Sequence, residues 1–351
     1  MPTMEENGGL LAIDIGGGTQ DILVYTPGQR IENCPKMIMP SPTRVVAGKI
    51  AQATNDSKPV FLFGDIMGGG ACTRAVKEHI TAGLPLYSTE DAALTFHDDP
   101  RRVERMGVVL TDTPPPDAVR IRMGDIDREA IARSLENFAL QVPARWAVAV
   151  QDHGHSPVTS NRKARFGWFR EFIESGGQLD RLAFRKAPEP FTRMKAVGNA
   201  VPDSIVMDTG PAAILGALLD DTVRERQEEG LIVANVGNYH VMCAMVRGQR
   251  ILGIFEHHTG QMDSTGLADT IERFRGCDLS NDEVLNTGGH GCYVDRASVS
   301  GTSFDFIAVT GPNRDLLHGE RFYRAVPYGD MMLTGCFGLV EAARRAGFIE
   351  D

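Results

Sequence analysis

The segment Leu-Ala-Ile-Asp-Ile-Gly-Gly-Gly-Thr-Gln-Asp-Ile-Leu-Val-Tyr, residues 11–25, constrains the chain more than any other. Residues 10–15 form a nearly continuous apolar run broken only by Asp14. Gly16-Gly17-Gly18-Thr19 follows, then a second apolar run over 21–25 and a Pro27-Gly28 turn. Two short apolar runs joined by a glycine turn read as a hairpin at the start of a sheet. Three glycines let the backbone take positive φ and approach a polyphosphate with no Cβ in the way. Their amides and the Thr19 hydroxyl can donate to phosphate oxygens, while Asp14 can hold magnesium or one of its waters. The plain alternative is an ordinary glycine turn. The acid two residues before the glycines and the threonine directly after them favour a nucleotide site. No Gly-Lys-Ser/Thr ending is present and a hairpin follows rather than a helix, which excludes a P-loop and a Rossmann fingerprint.

The rest of the chain alternates strand and helix. Helices are predicted over 43–53, behind Ser41-Pro42 as cap and first turn, from Gly68-Gly69-Gly70 towards His79, from an Asp127 cap with Ile131, Leu135 and Phe138 on one face, and over 208–219. Buried strands are expected at 60–63, 146–150, 231–246 and 306–310. A hairpin ending in a glycine turn occurs twice, at 10–25 and 231–250, which implies two related α/β halves facing one another. The 351 residues suit two domains.

A net charge of −10 argues against a nucleic-acid or anionic-membrane surface. The six cysteines are scattered without a C-x-x-C pair, so neither a disulfide scaffold nor a zinc ribbon is expected. The first residues, MPTMEENGG, are polar and acidic, unlike a secretory signal, and no apolar run reaches the ~20 residues of a bilayer span. A cytoplasmic protein is expected, with no nucleic-acid or membrane partner.

Asp14-Ile15-Gly16-Gly17-Gly18-Thr19 resembles the first phosphate motif of the acetate/sugar kinase, heat-shock chaperone and actin superfamily. Further stretches stand in the order that superfamily expects. Residues 146–150 with Gln151-Asp152 resemble the strand before the first connecting helix, and 207–216 resembles that helix. Residues 233–248, with Asn235, Gly237 and Asn238, are similar to the second phosphate hairpin. Residues 308–313, with Gly311 and Asn313, are similar to the adenosine motif. Leu333-Thr334-Gly335 with Ala342-Ala343 resembles the closing helix. The resemblance implies an α/β fold of two actin-like, ribonuclease H-like domains with ATP and magnesium in the cleft between them. It implies a first domain over 8–207, closed by the helix at 333–346, and a second over 208–332. Many members carry an acid where this chain has Asn235, and Pro312 follows the single glycine of the adenosine turn. Hydrolysis of the actin or chaperone type is therefore disfavoured, and chaperone activity is not expected.

The resemblance also makes Asp208 the candidate general base, since it stands where sugar kinases place the acid that accepts the acceptor's proton. Its other role is to cap the following helix. Arg162, Lys163 and Arg165 read as a solvated loop face. The histidines form two groups, His153 and His155 in Asp152-His153-Gly154-His155, and His257 and His258 after Glu256; His290 sits in a glycine loop. Both groups, with Glu256, are candidates for contacts to a substrate. His153, His155, His257 and His258 are also candidates for a second divalent metal, because imidazoles suit transition ions. Polar loop residues near a cleft are the plain reading. The favoured function is ATP-dependent phosphotransfer to a small hydroxylated or carboxylated metabolite. The alternatives are an ATP-driven activator of a partner enzyme, as in reactivating factors of the superfamily, and a metal-dependent enzyme or binding protein that has lost ATP chemistry. A homo-oligomer is compatible with any of them.

Overall fold

The computed structural model describes residues 9–350. The chain begins with β1 (Leu10–Ile15), β2 (Thr19–Tyr25) and β3 (Lys36–Pro40). Four short strands follow: β4 (Val60–Gly64), β5 (Leu86–Ser88), β6 (Val108–Leu110) and β7 (Val119–Met123). Then come β8 (Arg145–Val150), β9 (Ala183–Phe184) and β10 (Ser204–Met207). The last run is β11 (Leu231–Val236), β12 (His240–Arg247), β13 (Arg250–His258), β14 (Gly291–Val294), β15 (Phe306–Thr310) and β16 (Phe322–Arg324).

Two six-stranded sheets repeat one plan. In the first, β1, β2 and β3 form an antiparallel meander, β8 lies parallel to β1 on its other side, and β10 lies parallel to β8. The second sheet does the same with β11, β12 and β13, then β15 and β16. The orders are β3-β2-β1-β8-β10-β9 and β14-β13-β12-β11-β15-β16. Two sheets with this shared core are two actin-like, ribonuclease H-like halves, as the recurrence of the glycine hairpin implies. Their central strands are buried on both faces, which is why they read as unbroken apolar runs: Leu10 to Ile13, Ala147 to Val150 and Leu231 to Ala234 are all fully buried.

Helices Thr209–Ala217 and Thr334–Arg345 cross between the sheets, and glycine makes the crossing close. A Cβ on Gly216 would lie 1.8 Å from the Thr334 carbonyl oxygen, and one on Gly338 would lie 1.9 Å from that of Ala212. The chain passes from one sheet to the other through the first helix, and the second helix returns it to pack on β1 and β2.

Between β3 and β8 the chain builds a third sheet, parallel throughout, in the order β6-β5-β4-β7. It has its own apolar core, including Val46, Ile50, Val60, Leu62, Cys72 and Val76. The helix capped by Asp127 ends at Glu136, so Phe138 lies beyond it and is 74% exposed instead of sharing the face of Ile131 and Leu135. Among the described residues no helix is long and apolar enough to cross a membrane.

Candidate functional site

A cleft of about 310 Å³ opens between the two halves, with the inserted sheet contributing part of its wall. Its floor is set by the two hairpin turns, which share a geometry. The Gly16 amide donates to the Thr19 carbonyl at 2.9 Å, and the Gly237 amide donates to the His240 carbonyl at 2.9 Å. The turns come from equivalent places in the two sheets and face each other. Gly16, Gly17 and Gly18 do not use positive φ, contrary to the sequence expectation. What requires glycine is proximity: a Cβ on Gly17 would lie 2.2 Å from the Tyr239 ring, and one on Gly18 would lie 2.5 Å from the Asn238 amide. Ser41 does not cap its helix either; its hydroxyl donates to the Gly17 carbonyl at 2.9 Å and braces the first turn.

Asp14 sits directly opposite Asp21 in the hairpin register, so the two side chains share one face of the sheet. Each has a buried Oδ1 without a hydrogen-bond partner. Burial, reinforced by Asp21 and Asp208, pushes the Asp14 carboxyl well above the ordinary carboxylate range, and burial raises Asp21 to about 7. Two desolvated carboxyl groups, each with an unpartnered oxygen, are hard oxygen donors, a donor set that fits magnesium. The Thr334–Arg345 helix begins beside Asp14, and only glycine permits this: a Cβ on Gly335 would lie 1.9 Å from Asp14 Oδ2. Among the described residues lining the cleft, six carboxylates stand against a single arginine, Arg193, and no lysine.

The second turn is braced by the segment after β15. Gly311 has φ +98°, and a Cβ there would lie 2.5 Å from the Val236 carbonyl. The Asn313 amide donates to that carbonyl at 3.0 Å, and its Nδ2 donates to the Gly237 carbonyl at 2.9 Å. Asn235, Gly237, Asn238, Gly311, Pro312 and Gly335 all line the cleft, as do Gly16, Gly17 and Thr19. Gly68, Gly69 and Gly70 line it too, from the start of helix Gly70–Thr81.

Asp208 caps helix Thr209–Ala217 through Gly210, one of the two roles the sequence offers it. Its Oδ1 accepts from Arg165 Nη2 (3.0 Å) and the Gly210 amide (3.1 Å); its Oδ2 accepts from Arg165 Nη1 (2.7 Å) and the Asp152 amide (3.2 Å). Both oxygens are saturated and the residue is 7% exposed. Arg165, read as part of a solvated loop, is 3% exposed at the centre of this network. It also donates from Nε to Glu256 Oε2 (2.6 Å), from Nη2 to Glu256 Oε1 (3.1 Å), and from Nη1 to the Asp152 carbonyl (2.8 Å). All five guanidinium protons are used. Gln151 Nε2 supplies a further bond to Glu256 at 2.9 Å. A second clamp, Arg193 on Asp125 with contacts of 2.6 and 2.8 Å, ties the inserted sheet to the Gln151 carbonyl.

The histidines regroup. His153 Nε2 lies 2.9 Å from His290 Nε2, and the rings of His240, His258 and His290 stand 4.8 Å from one another. His257 points elsewhere. Side chains alternate along β13, so Glu256 and His258 share a face and His257 takes the other, where it meets Thr287 Oγ1 at 3.2 Å. His155 is also apart, half exposed with Nδ1 3.8 Å from Asp98. The expected four-histidine set therefore does not assemble. His153, His240 and His290 form the compact group, and His240 faces His258 in the β12–β13 register. That cross-strand pairing was the available signal for His240, and it needs the register to be seen.

Residues 67–316 match the model of a family described as "Putative pyruvate format-lyase activating enzyme (DUF1786)". No curated protein matches the chain. Similar solved structures include a Listeria monocytogenes protein described as a putative N-acetylmannosamine kinase, at 9% identity and TM-score 0.36, covering 97% of this chain and 99% of the other. A ROK family glucokinase from Streptomyces griseus in complex with glucose and AMPPNP matches at 11% identity and TM-score 0.35, covering 96% and 99%. The ethanolamine utilization protein EutJ from Carboxydothermus hydrogenoformans matches at 12% and 0.30, covering 94% and 88%. At these scores the fold rests on the strand order of the chain itself.

Proposed function

The chain belongs to that family, whose model matches well over half of it, and we propose that its cleft binds ATP with magnesium and transfers the terminal phosphoryl group to a small hydroxylated or carboxylated metabolite. The observation that carries this is the pair of like hairpin turns, from equivalent positions of the two halves, facing each other beside the unpartnered Asp14. Turn amides can hold phosphate oxygens without a lysine. A cleft lined by six acidic side chains, with its one arginine already paired to Asp125, offers a bare polyphosphate no free positive side chain, so a divalent cation would accompany it. Asp14, with Asp21 beside it, would hold magnesium or its waters, and magnesium there would neutralise phosphate charge. Asn235, Gly311 and Pro312 border the space on the adenosine side. Gln151, His153 and His240 border it where an acceptor would lie. Phosphoryl transfer depends chiefly on positioning and charge neutralisation, so it does not require Asp208 to be free.

A second reading, an ATP-driven activator of a partner enzyme, is favoured by the family's description and by the saturation of Asp208. Activation through an iron–sulfur cluster does not suit this chain, because cluster ligation requires converging thiolates. Five of the six free cysteines are buried, and among the described residues the grouping of metal-ligating side chains is made of histidines alone.

Isothermal titration with ATP, with and without magnesium, tests nucleotide binding. Asp14→Ala is expected to weaken ATP·Mg binding by at least about tenfold, ~1.4 kcal/mol, with the fold retained. Gly17→Val should abolish binding. Unchanged affinity in both variants would refute the assignment. ADP release stimulated by one member of a metabolite panel supports the phosphotransferase, whereas release stimulated only by a partner protein supports the activator.

A further inference from the structure

We propose that His153, His240 and His290 form a three-histidine site for a first-row divalent transition ion such as Zn(II), Co(II) or Fe(II), with an open coordination position turned to the cleft. The inference does not depend on nucleotide binding, and its ligand set differs from the one the sequence suggested.

The geometry comes first. One ring nitrogen from each histidine can be chosen so that all three lie within 4.8 Å of one another. The shortest separation is 2.9 Å, between His153 Nε2 and His290 Nε2. Three imidazoles on a tetrahedral ion at ~2.0–2.1 Å stand about 3.3 Å apart, inside the observed range. The ligands come from three separate segments: His153 from the loop after β8, His240 from the start of β12, and His290 from the glycine loop before β14. That loop is built to deliver His290. Its amide donates to the Glu256 carbonyl at 2.9 Å, and a Cβ on Gly289 or Gly291 would collide with His257 or Phe166.

An unmet polar atom gives a second, independent observation. His240 Nε2 is buried without a hydrogen-bond partner. A buried ring nitrogen is rarely left so, and this one, in the same cluster, indicates a missing partner. That partner is a cation. Arg165 is shared between Asp208 and Glu256, so the buried network keeps one negative charge uncompensated beside the rings.

The ligands are not closed off. His153 and His240 line the cleft, whereas His290 is 1% exposed and lies behind them. Three protein ligands plus one face open to a cavity is the arrangement of a site that takes an exogenous ligand. An oxygen donor, either a carboxylate or a hydroxyl, is the class that suits it. His153 belongs to the first half and the other two to the second, so a bound ion would also join the halves.

Protein stripped with chelator and dialysed against Co(II) tests the site. The expected result is about one Co(II) per chain with visible ligand-field absorption, competed away by Zn(II). His153→Ala and His240→Ala should each remove the bands, and so should His290→Gln, which keeps the buried volume better than alanine. His155→Ala and His257→Ala should leave them intact. Circular dichroism in chelator establishes that each variant is folded; should His240→Ala unfold, His240→Gln replaces it. Absence of stoichiometric Co(II), bands that survive His153→Ala and His240→Ala, or bands lost equally in His257→Ala would overturn the site. Acetate or azide should shift the Co(II) spectrum, and a spectrum unmoved by both would overturn the open position.

Discussion

Replacing Arg165 by methionine keeps most of the side-chain stem and removes all five donors from a network that is otherwise unchanged. The loss is uneven. Asp208 retains the Gly210 and Asp152 amides, but Glu256 is left with Gln151 alone. Glu256 is 1% exposed, so an ionised carboxylate there would have almost no solvent and one neutral donor. Breaking a buried ion pair from one side costs about 3–5 kcal/mol, and this case falls towards the upper end because two acids share one arginine. The pH dependence identifies the cause. In the native protein burial pushes the Glu256 carboxyl up, but the Arg165 charge and hydrogen bonds overcome it and hold the group well below its ordinary value of 4.5. Its stabilising contribution is therefore present above 4.5 and is lost as the pH falls towards the depressed folded value. Without Arg165, burial is the dominant influence, opposed only by the Gln151 bond and the neighbouring histidines, and the folded pKa is expected above the unfolded one. The variant's penalty is then fully present at high pH and relieved as the pH falls through that raised value. Urea unfolding of both proteins in chelator, followed by circular dichroism, should show a gap of about 3–5 kcal/mol near pH 8 that narrows clearly by about pH 5. A gap below ~1 kcal/mol, or one constant across that interval, would refute the reasoning.

Two further outcomes follow from close contacts. Gly216→Ala should destabilise the protein by about 1–3 kcal/mol, because its Cβ would enter the Thr334 carbonyl at the helix crossing; thermal unfolding within experimental error of the native protein would contradict that geometry. Tyr239→Ser should tighten ATP·Mg binding, because the ring stands over Gly17 where phosphate oxygens would pass between the turns; weaker binding by calorimetry would instead make the ring a nucleotide contact.

The features legible in the sequence were those fixed locally. The hairpin of β1 and β2 is two apolar runs and a turn, and its recurrence at β11 and β12 revealed the two-sheet plan. β5 and β6, at three residues each, are too short to show a period, so the third sheet was not foreseen. Arg165 was misread because Asn-Arg-Lys-Ala-Arg looks solvated. The period of helix Asn161–Glu174 held the correction, since Arg165 shares a face with Phe169, Phe172 and Ile173, and its guanidinium lies 4.9 Å from the Phe169 ring. The saturation of Asp208 was not legible by any local rule: its partner arginine is 43 residues away on another element. The histidines lie between these cases. Strand alternation alone separates His257 from His258, but bringing His153 to His290 takes the whole fold.

The distribution of contacts across the cleft sets where opening is costly. At the inner end the halves are joined by Arg165 to Glu256, Gln151 to Glu256, His153 to His290, and Arg162 to the Gly289 carbonyl at 2.8 Å. Parting them there would strip a buried guanidinium and a buried carboxylate of their mutual hydrogen bonds, a penalty of several kcal/mol. At the mouth the opposing turns meet through the Tyr239 ring and the Asn238 side chain lying against Gly17 and Gly18, contacts that a side-chain rotation can relieve. The inserted sheet is held by Arg193, which pairs with Asp125 and donates to the Gln151 carbonyl. A ligand entering between the turns therefore meets the least resistance at Tyr239 and the most at the histidine end. The clasp that holds the inner end shut is the same network that withdraws Asp208 from solvent, so the closure of that end and the full hydrogen bonding of Asp208 have one cause.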